Sequence, residues 1–271
     1  MNVPHILEMI FFSLDYKSYA NCKKVSNMWR ELLAFKSFQQ KANSIYIQER
    51  VKNEKELMKC RVAKKVQNLL SIGVDPNCQN SWGLTPLYFA CKNGKPAVVK
   101  LLLGAGADPN KMTSKNLNYP LHVVVQWAEN KRHTSIVKLL LEAGADPNKR
   151  STYGTAPLHD ASSKCDIEVA KLLLNAGADP NMPDRVFGCT PLHSTLMSHF
   201  NAYDFDRSRG TDLQKMESEF VKMVEVLVKA GADPCLSDYE GISALDLAKT
   251  KGQMTQVKIV QLLEDLCKKK L

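Results

Sequence analysis

Close copies of one nine-residue phrase recur along the 271-residue chain, most completely as Leu102-Leu103-Gly104-Ala105-Gly106-Ala107-Asp108-Pro109-Asn110. Its aspartate returns at regular positions, with spacings of 33, 38, 33 and 54 residues between Asp75, Asp108, Asp146, Asp179 and Asp233. A base period of 33 residues, lengthened in two units, is typical of proteins built from stacked supersecondary units. Because one such unit cannot bury its own apolar face, the sequence predicts a stack in which neighbours cover each other.

A second phrase recurs in phase with the first, as Thr85-Pro86-Leu87-Tyr88, Tyr119-Pro120-Leu121-His122, Ala156-Pro157-Leu158-His159, Thr190-Pro191-Leu192-His193 and Ser243-Ala244-Leu245-Asp246. A threonine hydroxyl can cap a helix, and proline suits the first helical position. Each phrase therefore predicts the start of an inner helix. The apolar run at residues 98 to 103 predicts a second helix, which ends where Gly106 can adopt a left-handed conformation. We interpret the three histidines of the phrase as hydrogen-bonded spacers between units, rather than as ligands or bases.

Two phrases recurring in phase resemble the ankyrin repeat over residues 47 to 267. The resemblance implies an all-α fold with a solenoid of about six units joined by hairpin-like loops. It also implies that the hairpin tips and inner helices line one concave, protein-binding surface.

Composition narrows the class of protein. No apolar run approaches the roughly 18 residues of a membrane span, and no basic region precedes the N-terminal apolar stretch, so we expect neither membrane insertion nor secretion. The eight cysteines contain no C-x-x-C pair, which predicts free thiols in a reducing compartment, the cytoplasm or also the nucleus. The formal charge of +9 reflects lysines that we interpret as solvated helix faces, so no nucleic-acid partner is expected.

The N-terminal segment has its own pattern. Residues 6 to 14 and residues 19 to 33 carry apolar side chains at helical spacing, which predicts two or three short helices. In order and spacing, Val3-Pro4, Ile10-Phe11, Leu14-Asp15, Cys22, Val25-Ser26, Trp29 and Leu32-Leu33 resemble the F-box. The alternative is an apolar cap on the repeats.

The F-box resemblance implies docking on a Skp-type adaptor that connects the chain to a cullin–RING ubiquitin ligase. The motif positions expected at that interface are Pro4, Ile6, Leu7, Ile10, Leu14, Val25 and Trp29. The predicted domains are an F-box at residues 1–45, a helical linker with a degenerate capping repeat at 46–79, and ankyrin repeats at 80–271. The ubiquitin chemistry would belong to other subunits.

Aromatic side chains near the hairpin glycines suggest where a target binds, because tryptophan and tyrosine dominate interface energetics. An alternative is that each packs against the next hairpin. Two units also carry extra residues, near Trp127 and at about 197–218, and such insertions often lie on a binding face. For the second insert, a specificity element, a helix extension and a disordered loop all remain open. The expected target-binding residues are Trp82, Trp127, Tyr153, Phe187, Phe200, Tyr203, Phe205 and Tyr239.

The sequence contains no recognisable nucleophile–base pair, phosphate loop or metal cluster, so we expect no catalytic residue, no metal and no cofactor. The favoured function is a substrate-recruiting subunit of a Skp/cullin/F-box ligase, monomeric apart from that complex. One alternative is an ankyrin scaffold or inhibitor without a link to ubiquitin. Another is an elongin-binding adaptor of the ankyrin/SOCS-box kind, suggested by the spacing of Leu263, Cys267 and Leu271. The sequence names neither the substrate nor a host, parasite or viral origin.

Overall fold

The structure is a computed structural model that describes residues 36–113, 118–127, 131–206, 213–251 and 257–270. The predicted adaptor-binding residues, Pro4 to Trp29, lie outside these ranges. Twelve helices lie within them, and the β-structure there is one isolated bridge between Ser237 and Ser243. The helices are α1 (Lys36–Lys59), α2 (Ala63–Ser71), α3 (Pro86–Lys92), α4 (Pro96–Gly104), α5 (Pro120–Gln126), α6 (Lys131–Glu142), α7 (Pro157–Ser163), α8 (Ile167–Asn175), α9 (Pro191–Asp206), α10 (Leu213–Lys229), α11 (Ala244–Lys251) and α12 (Val257–Lys270). The predicted all-α class is confirmed.

The chain divides into two compact units. In the first unit, the described residues are 36–93 and 97–107. Helix α1 packs against both α2 and α3 there, and buries Leu57 and Met58. This 24-residue helix runs through the domain boundary predicted at residue 45. The predicted boundary between the F-box and the linker therefore falls inside one continuous helix.

The second unit contains residues 94–96 and 108–271, and its helices form two layers. The inner layer is α5, α7, α9 and α11, each packed on the next, and in the outer layer α6 packs on α8 and α8 on α10. Leucines at the layer interface, including Leu140, Leu158, Leu173 and Leu192, are completely buried. Each such leucine contributes roughly 1.5–3 kcal/mol by burial, so the repeating leucines account for the stacking.

The helix ends follow from the repeated phrases. Thr85 accepts a hydrogen bond on its hydroxyl from the Tyr88 amide at 3.2 Å, and Pro86 occupies the first helical position. At the other end of a repeat, after α8, Gly177 has φ +88°, and the amide of Ala178 donates back to the Leu173 carbonyl at 2.9 Å. This left-handed ending satisfies carbonyls that the helix leaves open.

Asparagines of the Asp-Pro-Asn turns connect neighbouring repeats. In each turn the side-chain amide donates to the glycine carbonyl at the end of the next outer helix, at 2.8–2.9 Å. Within the second unit, the asparagine oxygen also accepts the amide of the following repeat's aspartate, at 2.9 Å for the pair Asn110 and Asp146. The four asparagine–glycine pairs are Asn77 with Gly106, Asn110 with Gly144, Asn148 with Gly177, and Asn181 with Gly231.

The long insert is helical on both sides of residues 207–212, which lie outside the described ranges. It lengthens α9 and α10 to 16 and 17 residues, as one of the three alternatives anticipated. Phe200 is only 5% exposed, and the neighbouring His199 ring stacks on Phe220 at 3.8 Å between centroids. The prediction that Phe200 lies on a target-binding surface is therefore wrong, because its side chain is buried in the lengthened α9.

The expectation that all eight cysteines are free thiols also needs correction. Cys235 and Cys267 are joined by a disulfide, with their Cα atoms 6.3 Å apart. The turn after α10 and the end of α12 bring them together, although they are 32 residues apart in sequence. Among the remaining described cysteines, the thiols are free at Cys60, Cys78, Cys91, Cys165 and Cys189.

Candidate protein-binding surface

Three hairpin tips of the second unit expose aromatic rings. The exposed fraction is 69% for Tyr153, 62% for Phe187 and 68% for Tyr239. Val186, beside Phe187, is also exposed. We call these four residues the tip surface. Large apolar side chains in water are costly when they cluster, and such clusters commonly mark interaction sites.

Aspartate side chains fix the backbone of the two hairpins that carry Phe187 and Tyr239. The Asp184 carboxylate accepts hydrogen bonds from the amides of Val186 and Phe187, at 2.8 and 2.7 Å. At the next tip, the Asp238 carboxylate accepts the amides of Glu240 and Ile242, both at 2.9 Å. Carboxylates that satisfy turn amides stabilise one loop conformation. The aromatic rings therefore stand on preformed tips and need little ordering before binding a partner.

Tyr239 also packs against the neighbouring hairpin, which was the alternative role for the tip aromatics. Its amide donates to the Phe187 carbonyl at 2.8 Å, and its hydroxyl lies 3.4 Å from the Asp184 carbonyl oxygen. The ring covers Gly188, where an added Cβ would fall 2.6 Å from the ring. One face of Tyr239 thus stabilises the hairpin pair, while most of its surface remains open to solvent.

Two other predicted target-binding aromatics, Trp82 and Trp127, are also exposed. Trp82 belongs to the first unit and is 55% exposed on its own hairpin, where the Asn80 side chain accepts its amide at 2.9 Å. Trp127 follows α5 in the second unit and is 49% exposed. The backbones of Tyr203 and Phe205 lie in α9, but their side chains are outside the described residues.

The histidines of the repeated phrase form a buried series within the second unit. The Nε2 atoms of His122, His159 and His193 lie 3.0, 3.1 and 3.2 Å from the carbonyl oxygens of Thr155, Cys189 and Ile242 in the next repeat. Because a carbonyl only accepts, each Nε2 donates. Burial lowers the pKa of His122 to about 4 and also lowers the pKa of His159 and His193. These rings are neutral spacers, as predicted.

A polar cluster on the inner helices escaped the sequence analysis. Burial raises the pKa of Asp160 to about 6, partly offset by the charge of Lys164 and the side chain of Gln126. The enclosed Asp160 Oδ2 has no hydrogen-bond partner within the described part of the chain. The Lys164 ammonium instead donates to the carbonyls of Val125 and Gln126 at the end of α5. The only sequence signal was a charged residue directly after the repeated phrase, where the other repeats have Phe89, Val123, Ser194 or Leu247.

Over the ranges that the structure describes, no group of three histidine, cysteine or acidic residues could hold a metal ion. Within those same ranges, no helix combines the length and the apolar composition needed to cross a bilayer.

Comparison with known families accounts for the N-terminal motif and for the repeated phrases. The F-box domain model matches residues 3–41, and the model described as ankyrin repeats (3 copies) matches residues 57–151 and 106–184. The chain carries an F-box domain followed by ankyrin repeats. Both domains of this F-box/ankyrin-repeat protein are typically non-catalytic modules for protein interaction. This combination supports a role as an adaptor in ubiquitin ligation.

Parts of the F-box/ankyrin-repeat protein are similar in structure or sequence to known proteins. The crystal structure of an ankyrin repeat domain from Acinetobacter baumannii AYE has a TM-score of 0.65 at 22% identity, covering 78% of this chain and 97% of that one. This likeness shows the fold alone. The mouse 2-5A-dependent ribonuclease is 48% identical over 48 residues, 17% of this chain and 6% of its own length. The Drosophila melanogaster transient receptor potential channel pyrexia is 39% identical over 70 residues, 24% of this chain and 7% of its own.

Proposed function

We propose that the protein is the substrate-recruiting subunit of a Skp/cullin/F-box ubiquitin ligase. The observation that carries the proposal is the F-box match at residues 3–41 on the same chain as preformed, solvent-exposed aromatic tips. The F-box would bind a Skp-type adaptor through its motif residues from Pro4 to Trp29. The repeats would hold the target, and the transfer of ubiquitin would be carried out by other subunits.

For the target, we propose a protein that binds across the tip surface. The described tips offer aromatic rings flanked by charged side chains, Arg185 and Glu240, which are both exposed. This combination of a flat apolar centre and a charged rim is characteristic of protein interfaces. A cytoplasmic or nuclear location remains part of the proposal, supported by the free thiols of five of the seven described cysteines, because free thiols are typical of a reducing compartment.

Two alternative functions make different demands on the chain. A scaffold or inhibitor without a link to ubiquitin would need no adaptor contact, although an F-box domain is present. An elongin-binding tail would need Leu263 and Cys267 to face a partner. Leu263 is completely buried against the last repeat, and Cys267 is joined to Cys235, so the described positions weigh against this alternative.

The deciding experiment measures adaptor and target binding separately in one set of variants. Adaptor affinity is measured by calorimetry with purified Skp-type adaptor, using wild-type chain and Trp29→Ala. Loss of a central anchor costs on the order of 2–4 kcal/mol, roughly 30- to 900-fold in affinity. Absence of wild-type binding at tens of micromolar would exclude the ligase proposal and leave the scaffold.

The matched control is the double variant Tyr153→Ala with Phe187→Ala, which changes only the second unit. We expect it to bind the adaptor with unchanged affinity and to lose proteins that the wild-type chain captures by proximity labelling. Trp29→Ala should show the reverse result, keeping target proteins and losing the adaptor. If the tip variant retains every captured protein, the target-binding surface lies elsewhere on the repeats.

A further inference from the structure

The last repeat junction differs in chemistry from the junctions before it. In four Asp-Pro-Asn turns the asparagine side chain reaches the glycine that ends the next outer helix. That glycine always comes four residues after a buried leucine of the outer helix: Leu102 with Gly106, Leu140 with Gly144, Leu173 with Gly177, and Leu227 with Gly231. The asparagine and the glycine thus mark one pair of positions that face each other at each of these four junctions.

Cysteine occupies both of these positions at the last junction. The turn reads Asp233-Pro234-Cys235, so Cys235 stands where the earlier turns have asparagine. Cys267 comes four residues after the buried Leu263, where the earlier helices have glycine. The Cys235 amide donates to the Asp233 carboxylate at 3.0 Å, as the asparagine amides of the earlier turns do at 2.8 Å. The turn geometry is therefore conserved within the chain while the bridging chemistry changes.

The distance and exposure of this pair suit a reversible covalent bridge. Their Cα atoms are 6.3 Å apart, within the usual range for a disulfide of about 4.4–6.8 Å. Cys235 is exposed and Cys267 is half-buried. By contrast, burial raises the pKa of the Cys78 thiol to about 12 and of Cys165 and Cys189 to about 11. Those three thiols are poor nucleophiles at neutral pH, because the thiolate is the reactive form.

We propose that Cys235 and Cys267 form a redox-sensitive staple that fixes the closing helix α12 to the turn after α10. The oxidant is a low-molecular-weight disulfide such as oxidised glutathione. One protein thiolate attacks this disulfide, which forms a mixed disulfide and releases one reduced thiol. The second protein thiolate then attacks the protein sulfur of the mixed disulfide and releases the second reduced thiol. Both protein thiols lose their protons, and two electrons pass from the protein to the small disulfide.

The staple adds a covalent link to the non-covalent contacts of α12, a helix that buries Ile259 and Leu263. Helix α12 packs on α11, and the Lys249 ammonium meets the Glu264 carboxylate at 2.8 Å. A cross-link between residues 32 positions apart limits how far α12 can open. Reduction returns the helix to its non-covalent contacts, so its local opening becomes more frequent. The inference concerns the repeats alone and stands whether or not the chain serves a ubiquitin ligase.

The test equilibrates the full-length chain in glutathione buffers of decreasing reducing power. Free thiols are then trapped with a maleimide and analysed by peptide mass spectrometry. We expect peptides containing Cys235 and Cys267 to become cross-linked to each other in a single transition. Amide hydrogen exchange in α12 should be slower in the oxidised chain, by at least about tenfold. Cys60→Ser is the matched control and should leave both results unchanged.

A second variant distinguishes the staple from a general effect of oxidation. Cys235→Asn restores the residue found in the earlier turns, whose side chain bonds to a backbone carbonyl. We expect this variant to fold, to show no cross-link, and to give the same α12 exchange rate in reducing and oxidising buffer. Two results would overturn the proposal: separate glutathione adducts on the two cysteines without an internal cross-link, or an exchange rate of α12 in the wild-type chain that is independent of oxidation.

Discussion

Residues 151 to 159 contain two regions with opposite roles. The tip of the hairpin presents Tyr153 to solvent, while His159, six residues later, is buried and bonded to the next repeat. The tip ring can be changed without opening a junction, whereas the histidine ring cannot. Under the proposed function, stacking and recognition therefore fall to different residues of the same repeat. This separation lets the recognition surface vary while the stack is preserved.

Removing the buried histidine ring should cause the largest loss of stability. His159 accepts the Ala156 amide on Nδ1 at 3.1 Å and donates from Nε2 to the Cys189 carbonyl at 3.1 Å. His159→Ala leaves the buried Ala156 amide without this partner, removes one of the two hydrogen bonds to the Cys189 carbonyl and opens a cavity. We expect a loss of about 3 kcal/mol in the free energy of unfolding, measured by urea denaturation. Tyr153→Ala is the control from the same hairpin, and an equal loss in both variants would refute the division of roles.

Alanine substitutions at two glycines compare the backbone of a hairpin tip with the backbone at a helix end. Gly154, at the tip, has φ +75°, and an added Cβ would fall 2.3 Å from the Arg185 Cβ. Gly177, at the end of α8, has φ +88° with open space around it. Gly177→Ala should cost about 1 kcal/mol from backbone strain alone. Gly154→Ala should cost at least about 2 kcal/mol, because the Arg185 backbone must also move.

The two glycine variants are compared by thermal unfolding of the full chain. Equal costs would mean that the hairpin tip adapts freely, which would contradict the preformed tips inferred from the hydrogen bonds of Asp184 and Asp238.

The buried histidines also predict how stability depends on pH. Because the folded pKa of His122 is about 4, below the ordinary value of 6.5, the unfolded chain binds the proton more readily between these values. The contribution of His122 is therefore complete above pH 6.5 and is lost progressively as the pH falls towards 4. We expect a loss on the order of 1 kcal/mol between pH 7 and 5.5, measured by urea titrations. Asp160, with its raised pKa, acts in the opposite direction.

Asp160→Asn isolates these two contributions. It removes the carboxylate whose burial is unfavourable at neutral pH, so the variant should be more stable than the wild-type chain at pH 7.5. Its stability should also fall more steeply on acidification, because only the histidines then respond. A shallower dependence on pH than in the wild-type chain would contradict both assignments.

Much of this fold could be predicted because the decisive signals are local and repeated. Thr85 with Pro86 starts a helix and Gly177 ends one for reasons contained within a few residues. Phe200 is buried in the lengthened α9, where the neighbouring His199 stacks on Phe220 of α10, and the pairing of Cys235 with Cys267 depends on two repeats meeting. The enclosure of Asp160 similarly arises where two neighbouring repeats meet. Non-local contacts of this kind leave no periodic signal in the sequence.

The smallest expected effect on stability comes from the tip surface itself. Tyr153→Ala and Phe187→Ala remove rings that are mostly in water, so the free energy of unfolding should change by less than about 0.5 kcal/mol. Tyr239→Ala should cost more, about 1 kcal/mol, because its ring covers Gly188 and its hydroxyl reaches the Asp184 carbonyl. Its main-chain bond to Phe187 survives the substitution.

Target capture should rank these variants differently from stability. If recognition depends on exposed ring area, all three substitutions should weaken capture by a similar factor, although only Tyr239→Ala lowers the melting temperature. Proximity labelling and thermal unfolding of the same three proteins provide the two measurements. If capture instead follows the melting temperature, the rings act through hairpin stability, and the tip surface would no longer be a binding site but part of the stack.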